Sequence, residues 1–272
     1  MGKSIMTASF EGGVGKSTVA VNLAAGLAAG GNKVLIIDLD ASSGSVDLFM
    51  GCEHDTLHDF CGVAGKKVKI QDAVYTKKEK SYYVDILRSP SSYDIDLPED
   101  VSVEEAVGGF IEEAKDIYDF IIFDCPSGKF ELFEILAKKI DLVVVVTLHS
   151  AASVRSAERL AVFLSEATGS KGENVRLVIN GFNPRGVSSG LNLGIVDIIE
   201  QSKMKLVGLV EINDQIRDLQ EEGKTVYDAK NKKIRAAFDD MAGRILENNI
   251  ILNRKYNGFK TSGLYFKKEK KK

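Results

Sequence analysis

The chain has 272 residues and a formal net charge of −3, and it is 44% hydrophobic and 28% charged, which excludes a disordered protein. No uncharged stretch approaches the roughly 20 apolar residues of a membrane-spanning helix, and we find no secretory signal before the first predicted strand. The three cysteines cannot all pair, so we expect reduced thiols and a cytoplasmic protein.

Apolar strands alternate with helices along the chain, an order that is typical of a mainly parallel sheet covered by helices on both faces. Several predicted strands are continuous runs of Val, Ile and Leu; the strands are 5–9, 34–38, 120–124, 142–147, 175–180 and 206–210. The predicted helices are 16–29, 103–116, 154–166, 194–201 and 234–247. We therefore predict one three-layer α/β domain over residues 1–250, followed by a basic tail at 251–272.

A glycine-rich segment, residues 11–18, lies between the first predicted strand and the first predicted helix. Glycines in this context let backbone N–H groups wrap around phosphates, and the helix start adds the positive end of its dipole. Lys16 is placed to reach the β- and γ-phosphates, and the Ser17 hydroxyl is placed to ligate Mg²⁺. The alternative is a glycine-rich turn before an alanine-rich helix, which the strand–loop–helix context disfavours.

Two further predicted strands end in carboxylates. Asp38 and Asp40 are two residues apart and point the same way, and Asp124 ends an apolar strand in the Walker B pattern. The carboxyl ends of parallel strands form the edge of the sheet at which nucleotides bind. Such acids can also be helix caps or solvated loop residues, but their convergence on one phosphate loop favours a nucleotide site.

Together, the phosphate loop, the Asp-Leu-Asp segment 38–40 and the Asp-Cys-Pro segment 124–126 resemble the MinD/ParA family of deviant Walker A ATPases. The similarity extends over residues 3–230. It implies a P-loop fold, ATP and Mg²⁺ as cofactors, and hydrolysis that drives a switch between monomer and homodimer. It also implies an unidentified protein partner of the division, flagellar or pilus machinery, positioned at the membrane. A GTPase is disfavoured because the chain lacks the Asn-Lys-x-Asp segment that reads guanine.

The resemblance assigns roles residue by residue. The predicted nucleotide contacts are Gly12, Gly13, Val14, Gly15, Lys16, Ser17, Thr18, Gly128 and Asn180. The predicted metal residues are Ser17, Asp38 and Asp124, with the two carboxylates acting mostly through water. On the family's pattern Thr18 lies near the α-phosphate, Gly128 senses the γ-phosphate and Asn180 contacts adenine. Catalysis falls to Lys16 and to Asp40, which orients the attacking water.

The sequence departs from the family at the start of the loop, where Glu11 replaces the signature lysine and Phe10 replaces a glycine. Two like charges about 4 Å apart repel by roughly 4 kcal/mol at an effective dielectric of about 20. Three outcomes stay open. A cation such as Lys129, Arg155 or Arg185 replaces the lysine, or Glu11 points away, or hydrolysis is slow. The last case gives the alternative function, a nucleotide-binding scaffold of the pilus-localisation type.

The tail differs in charge from the rest of the chain: residues 254–272 contain eight Lys or Arg and one Glu, a net +7 on a body of −10. One helical stripe contains Leu252, Tyr256, Phe259, Gly263 and Phe266. A basic amphipathic segment of this kind predicts binding to an anionic membrane, hence a peripheral location on its inner face. The alternatives are a solubilising end and, less favoured, a nucleic-acid grip.

Smaller signals support other functions only weakly. Zinc-ligand residue types occur close together at Cys52, His54, His58 and Cys61, but we expect a structural turn there and not a metal site. A tyrosine kinase of the capsule-assembly type would end in a dense tyrosine cluster, whereas the tail has only Tyr256 and Tyr265. A DNA-partition ATPase is disfavoured by the acidic body.

Overall fold

A computed structural model of the chain describes residues 1–42, 44–52, 58–169, 172–253 and 255–256. Its strands are β1 (Lys3–Ala8), β2 (Val34–Asp38), β3 (Tyr75–Lys78), β4 (Tyr83–Leu87), β5 (Phe120–Asp124), β6 (Leu142–Thr147), β7 (Val175–Phe182) and β8 (Lys205–Glu211). They form one sheet in the order β3-β4-β2-β5-β1-β6-β7-β8. All neighbours are parallel except β3 and β4, which form an antiparallel hairpin at one edge.

Helices cover both faces of this sheet. They are α1 (Lys16–Ala29), α2 (Val46–Met50), α3 (Phe60–Ala64), α4 (Ile70–Ala73), α5 (Val103–Ile117), α6 (Phe133–Lys139), α7 (Ala151–Thr168), α8 (Pro184–Ser188), α9 (Ile195–Ser202), α10 (Asp214–Glu221) and α11 (Ala236–Ile245). One hydrophobic cluster includes α1 and α11, and the other includes α5, α6, α7 and α9. The predicted three-layer α/β architecture is confirmed.

The predicted elements agree best where the sequence is most apolar. The structure reproduces strands 34–38, 120–124 and 142–147 and the helix 16–29 without change. α7 begins at Ala151, three residues earlier than predicted, because the Ser150 hydroxyl caps it by accepting the N–H of Ser153 at 3.2 Å. The last helix begins at Ala236 and not at residue 234, because the chain first forms a 3₁₀ turn over Lys232–Arg235.

Strand register lines up the acidic strand ends. Asp38 of β2 pairs with Asp124 of β5, and Thr7 of β1 pairs with Asp124 from the other side. Because all three strands run in the same direction, their carboxyl ends meet at one edge of the sheet. The loop between β1 and α1 begins at this same edge.

The C-terminal segment returns to the body. Leu252 and Tyr256 are buried, the Tyr256 ring lies 5.9 Å from the ring of Phe182, and Lys255 Nζ is 3.1 Å from a carboxylate oxygen of Glu211. The prediction that Leu252 and Tyr256 belong to a lipid-facing stripe is therefore wrong for the described chain, since both contribute to the core. Residues 257–272, with the rest of the stripe, lie outside the described residues.

Two smaller predictions concern metals and membranes. The described cysteines are buried thiols that form no disulfide; Cys52 and Cys61 lie in different hydrophobic clusters, and His54 lies outside the described residues. Within the described ranges, no group of three His, Cys, Asp or Glu could hold a metal ion. In the same part of the chain, no helix is long and apolar enough to cross a bilayer.

Candidate functional site

The loop between β1 and α1 has the backbone shape of a phosphate cradle. Gly13 and Gly15 adopt positive φ angles of 74° and 88°, which favour glycine. Gly12 and Gly13 are exposed, and a Cβ on Gly13 would meet no described atom within 4 Å, so the mouth of the loop is open. Gly15 precedes α1 and has no side chain that could cap its first N–H groups. These N–H groups and the positive end of the helix dipole favour an anion here.

Lys16 is the buried cation of this loop. Its side chain is 7% exposed, and its Nζ donates a hydrogen bond of 2.7 Å to the Ser127 hydroxyl in the loop after β5. Burial lowers the pKa of the Lys16 amine, while attraction to Asp124 opposes that shift. The ammonium therefore lies in a low-dielectric setting in which an incoming anion would be strongly attracted.

Asp124 lies on the floor of the site, where the hydroxyls of Thr7 and Ser17 contact it. Thr7 Oγ1 donates to its carboxylate at 3.0 Å, and Ser17 forms a side-chain hydrogen bond with it. Burial and the neighbouring Asp38 raise the pKa of Asp124, whereas the Ser17 and Thr7 hydrogen bonds act against that rise. A hydroxyl and carboxylates that share one pocket are the hard oxygen donors that Mg²⁺ prefers, so the residues fit this metal.

Asp38 organises the loop that leads into α2. Its carboxylate accepts the backbone N–H groups of Asp40, Ser45 and Val46 at 2.8, 2.8 and 2.9 Å. Burial raises the pKa of Asp38, and these three hydrogen bonds act in the opposite direction. The half-buried Asp40 accepts hydrogen bonds from the N–H and the hydroxyl of Ser42 at 3.1 and 2.6 Å.

The loop after β5 is fastened to the phosphate loop. Gly128 has a positive φ of 80°, and its N–H donates to the carbonyl of Ser9 at 2.9 Å. The Ser127 hydroxyl lies above Gly12, because a Cβ built on Gly12 would be 3.6 Å from it. The sequence motif indicates Gly128 but not Ser127, because only the fold shows that the Ser127 hydroxyl reaches Lys16.

Two predicted nucleotide contacts are already engaged with the protein. Thr18 exchanges hydrogen bonds of 3.2 and 3.0 Å with the side-chain amide of Gln220, on α10. Asn180 lies within β7, which continues to Phe182, and its amide donates to the carbonyl of Val14 at 2.8 Å. No sequence signal indicated Gln220, because its partner Thr18 lies 202 residues earlier in the chain.

The two residues that depart from the family have opposite surroundings. The Phe10 ring packs 6.4 Å from Phe133 and 6.0 Å from Phe163, on α6 and α7. Glu11 donates its N–H to the Ser9 hydroxyl at 3.0 Å, but its Oε2 is buried and has no hydrogen-bond partner among the described residues.

The three cations predicted as substitutes for the signature lysine form no ion pair with Glu11 in the described part of the chain. Lys129 Nζ lies 3.6 Å from the centroid of the Phe163 ring, and Arg155 and Arg185 are exposed. In the part of the chain that the structure describes, no ion pair joins Glu11 to any of them.

Comparisons with known proteins agree with this geometry. The family described as "AAA domain" matches residues 2–177. The septum site-determining protein MinD of Buchnera aphidicola subsp. Schizaphis graminum is 30% identical over 256 residues, 92% of this chain and 93% of that protein. The MinC:MinD cell division protein complex of Aquifex aeolicus includes a chain that is 27% identical, with a TM-score of 0.80 over 93% of this chain and 99% of that one. MinD of Pyrococcus horikoshii, solved with Mg-ADP, is 23% identical with a TM-score of 0.72 over 90% and 96% of the two chains, and it shares the fold.

Proposed function

Because this chain belongs to the MinD/ParA family of P-loop ATPases, we propose that it binds ATP with Mg²⁺ at the phosphate loop and hydrolyses the nucleotide. The observation that carries the proposal is the convergence of Lys16, Ser17, Asp38 and Asp124 at one edge of the sheet, around an open glycine loop. Phosphoryl transfer needs positioning and charge neutralisation more than covalent chemistry, and these groups supply both.

Each residue has a role that its surroundings support. Backbone N–H groups of Gly12 to Gly15 hold phosphate oxygens, and Lys16 neutralises the terminal ones. Ser17 ligates Mg²⁺, while Asp38 and Asp124 hold its water ligands; when bound, the ion neutralises charge on the phosphates. Asp40, which ends the segment after β2, orients the attacking water. Gly128, whose N–H donates to the Ser9 carbonyl beside the cradle, senses the γ-phosphate by exchanging this hydrogen bond for one to the phosphate.

The nucleotide cycle controls where a partner protein is located in the cell. ATP binding favours a homodimer, and the dimer positions a protein partner of the division, flagellar or pilus machinery at the membrane. The Aquifex aeolicus relative in its MinC:MinD complex supports a protein partner of this kind. The basic tail, with its net charge of +7, supplies attraction to an anionic inner membrane face and places the protein there from the cytoplasm.

A second function, a nucleotide-binding scaffold with weak hydrolysis, is favoured by one observation. Glu11 places a carboxylate at the position of the signature lysine, and its buried Oε2 has no partner in the described part of the chain. A negative charge there opposes the charge that develops on the transferring phosphoryl group. Binding with slow turnover would follow.

The concentration dependence of ATP hydrolysis separates the two functions. Hydrolysis per mole of protein is measured with Mg²⁺ over a wide range of protein concentration, with Lys16→Ala as the blank. A specific rate that rises with concentration, and that Lys16→Ala abolishes, supports the ATPase with a dimer switch. A rate equal to the blank, in a protein that binds ATP, supports the scaffold. Loss of both binding and turnover contradicts both functions.

A further inference from the structure

The Ser127 hydroxyl lies in the mouth of the phosphate cradle. It accepts a hydrogen bond from Lys16 Nζ at 2.7 Å, and it is within 3.6 Å of the position that a Cβ on Gly12 would take. Gly12 and Lys16 are the two ends of the cradle. The hydroxyl therefore satisfies the buried amine at the place where the phosphates of a nucleotide would meet it.

We propose that Ser127 is a positioning residue that holds Lys16 in the nucleotide-free protein and sets the preference for a triphosphate over a diphosphate. The inference rests on the proposed nucleotide site and names its selectivity. Phosphate binding breaks the Lys16–Ser127 hydrogen bond, because the amine turns to the phosphate oxygens. The hydroxyl is then free to donate to a terminal phosphate oxygen above Gly12.

The loop around Ser127 is restrained enough for this exchange. Pro126 precedes it and fixes one backbone angle, and the Gly128 N–H is bound to the Ser9 carbonyl at 2.9 Å. Further along the same loop, the ring of Phe130 lies 5.7 Å from that of Phe133, which also contacts Phe10. The hydroxyl is therefore held over the cradle by the fixed backbone angle of Pro126 before it and by the Gly128 and Phe130 contacts after it.

Both nucleotides must displace Ser127 from Lys16, but only the triphosphate regains its hydroxyl. A diphosphate reaches Lys16 without extending its phosphates as far as Gly12, so it loses the hydrogen bond and gains nothing from Ser127. Hydrogen bonds to a charged donor are among the stronger ones in proteins, so this difference is large enough to measure as a ratio of affinities.

The test compares Kd for ATP and for ADP by titration calorimetry on the full chain with Mg²⁺. Ser127→Ala is expected to tighten ADP about fivefold and to change ATP by less than twofold, so that the preference for ATP falls about fivefold. Ser127→Thr keeps a hydroxyl and is expected to retain the wild-type ratio. Ser81→Ala, which removes an exposed hydroxyl from the turn between β3 and β4, is the matched control and is expected to change nothing.

A second measurement needs no nucleotide. The rate at which a small acylating reagent modifies Lys16, followed by mass spectrometry, is expected to rise at least threefold in Ser127→Ala and to stay at the wild-type rate in Ser127→Thr. An unchanged Kd ratio in Ser127→Ala, or an unchanged Lys16 reactivity, overturns the inference while the proposed function stands. Failure of the wild-type chain to bind either nucleotide overturns the proposed function, and the selectivity with it, even where Lys16 reactivity responds to Ser127.

Discussion

Two carboxylates at the same edge of the sheet have opposite surroundings. Asp38, where β2 ends, accepts three backbone N–H groups within 2.9 Å and orders the loop that leads into α2. Glu11, at the start of the phosphate loop, has a buried Oε2 with no hydrogen-bond partner in the described chain. The Asp38 carboxylate is satisfied by hydrogen bonds of the fold, whereas the Oε2 of Glu11 is buried by its neighbours without such bonds among the described residues.

The two carboxylates belong to two parts of the site: the carboxylate group at the strand ends and the start of the phosphate loop at Phe10 and Glu11. The three residues of the proposed metal site lie together within one chain: Asp38 pairs with Asp124 in the sheet, and Ser17 forms a hydrogen bond with Asp124. At the start of the phosphate loop, Phe10 is packed against two aromatic rings, whereas the neighbouring Glu11 has a buried Oε2 without a hydrogen-bond partner in the described chain. A buried acceptor without a donor opposes folding, so Glu11 lowers the stability of the nucleotide-free chain.

The largest expected effect on stability comes from removing Asp38, the carboxylate whose hydrogen bonds are satisfied. Asp38→Ala leaves three N–H groups without their acceptor and is expected to lower the free energy of unfolding by about 3 kcal/mol. Asp47→Ala, which removes the acceptor of one exposed N–H on Leu48, is the matched control and should cost less than about 0.5 kcal/mol. Chemical denaturation measures both. Equal, small losses would show that the Asp38 contacts do not order this loop.

The second effect concerns the aromatic anchor beside Glu11. Phe10→Ala removes ring contacts with Phe133 and Phe163 and is expected to lower the free energy of unfolding by about 2 kcal/mol, since Phe10 is half-buried. Val162→Ala, at a residue on α7 that is 54% exposed, serves as the control and should change stability by less than about 0.5 kcal/mol. If Phe10→Ala behaved like this control, the packing of Phe10 would not explain how Glu11 is held.

The smallest expected effect is a gain in stability, and it comes from replacing Glu11, whose carboxylate has an unsatisfied oxygen in the described chain. Glu11→Gln removes a negative charge whose Oε2 has no partner and is expected to raise the free energy of unfolding by about 1 kcal/mol. Glu131→Gln, at an exposed position in the loop before α6, is expected to have no measurable effect. Thermal and chemical denaturation without nucleotide measure the difference. A loss of stability in Glu11→Gln would mean that the carboxylate is satisfied in solution.

The sequence carries enough information for the central sheet and the cradle. Unbroken runs of Val, Ile and Leu gave strands 34–38, 120–124 and 142–147 with the observed bounds, because strands buried on both faces must be apolar throughout. The hairpin of β3 and β4 was missed: β3 (Tyr75–Lys78) alternates exposed and half-buried residues at the sheet edge and resembles a surface loop.

Contacts between distant residues were beyond the sequence. The Lys16–Ser127 and Thr18–Gln220 hydrogen bonds span 111 and 202 residues, and no local pattern encodes them. The spacing of Leu252 and Tyr256 fits a helical stripe, yet both side chains are buried in the core. Periodicity shows which residues share a face and does not show what that face contacts.

The central claim is that ATP binding at this site drives association of the chain. The most direct measurement is the mass in solution by light scattering, without nucleotide and with saturating Mg-ADP or Mg-ATP, for the wild-type chain of 29.6 kDa and for Lys16→Ala. We predict a mass that doubles with ATP alone and stays that of a monomer in the variant. A wild-type chain that binds ATP and keeps the monomer mass at every concentration would contradict the account.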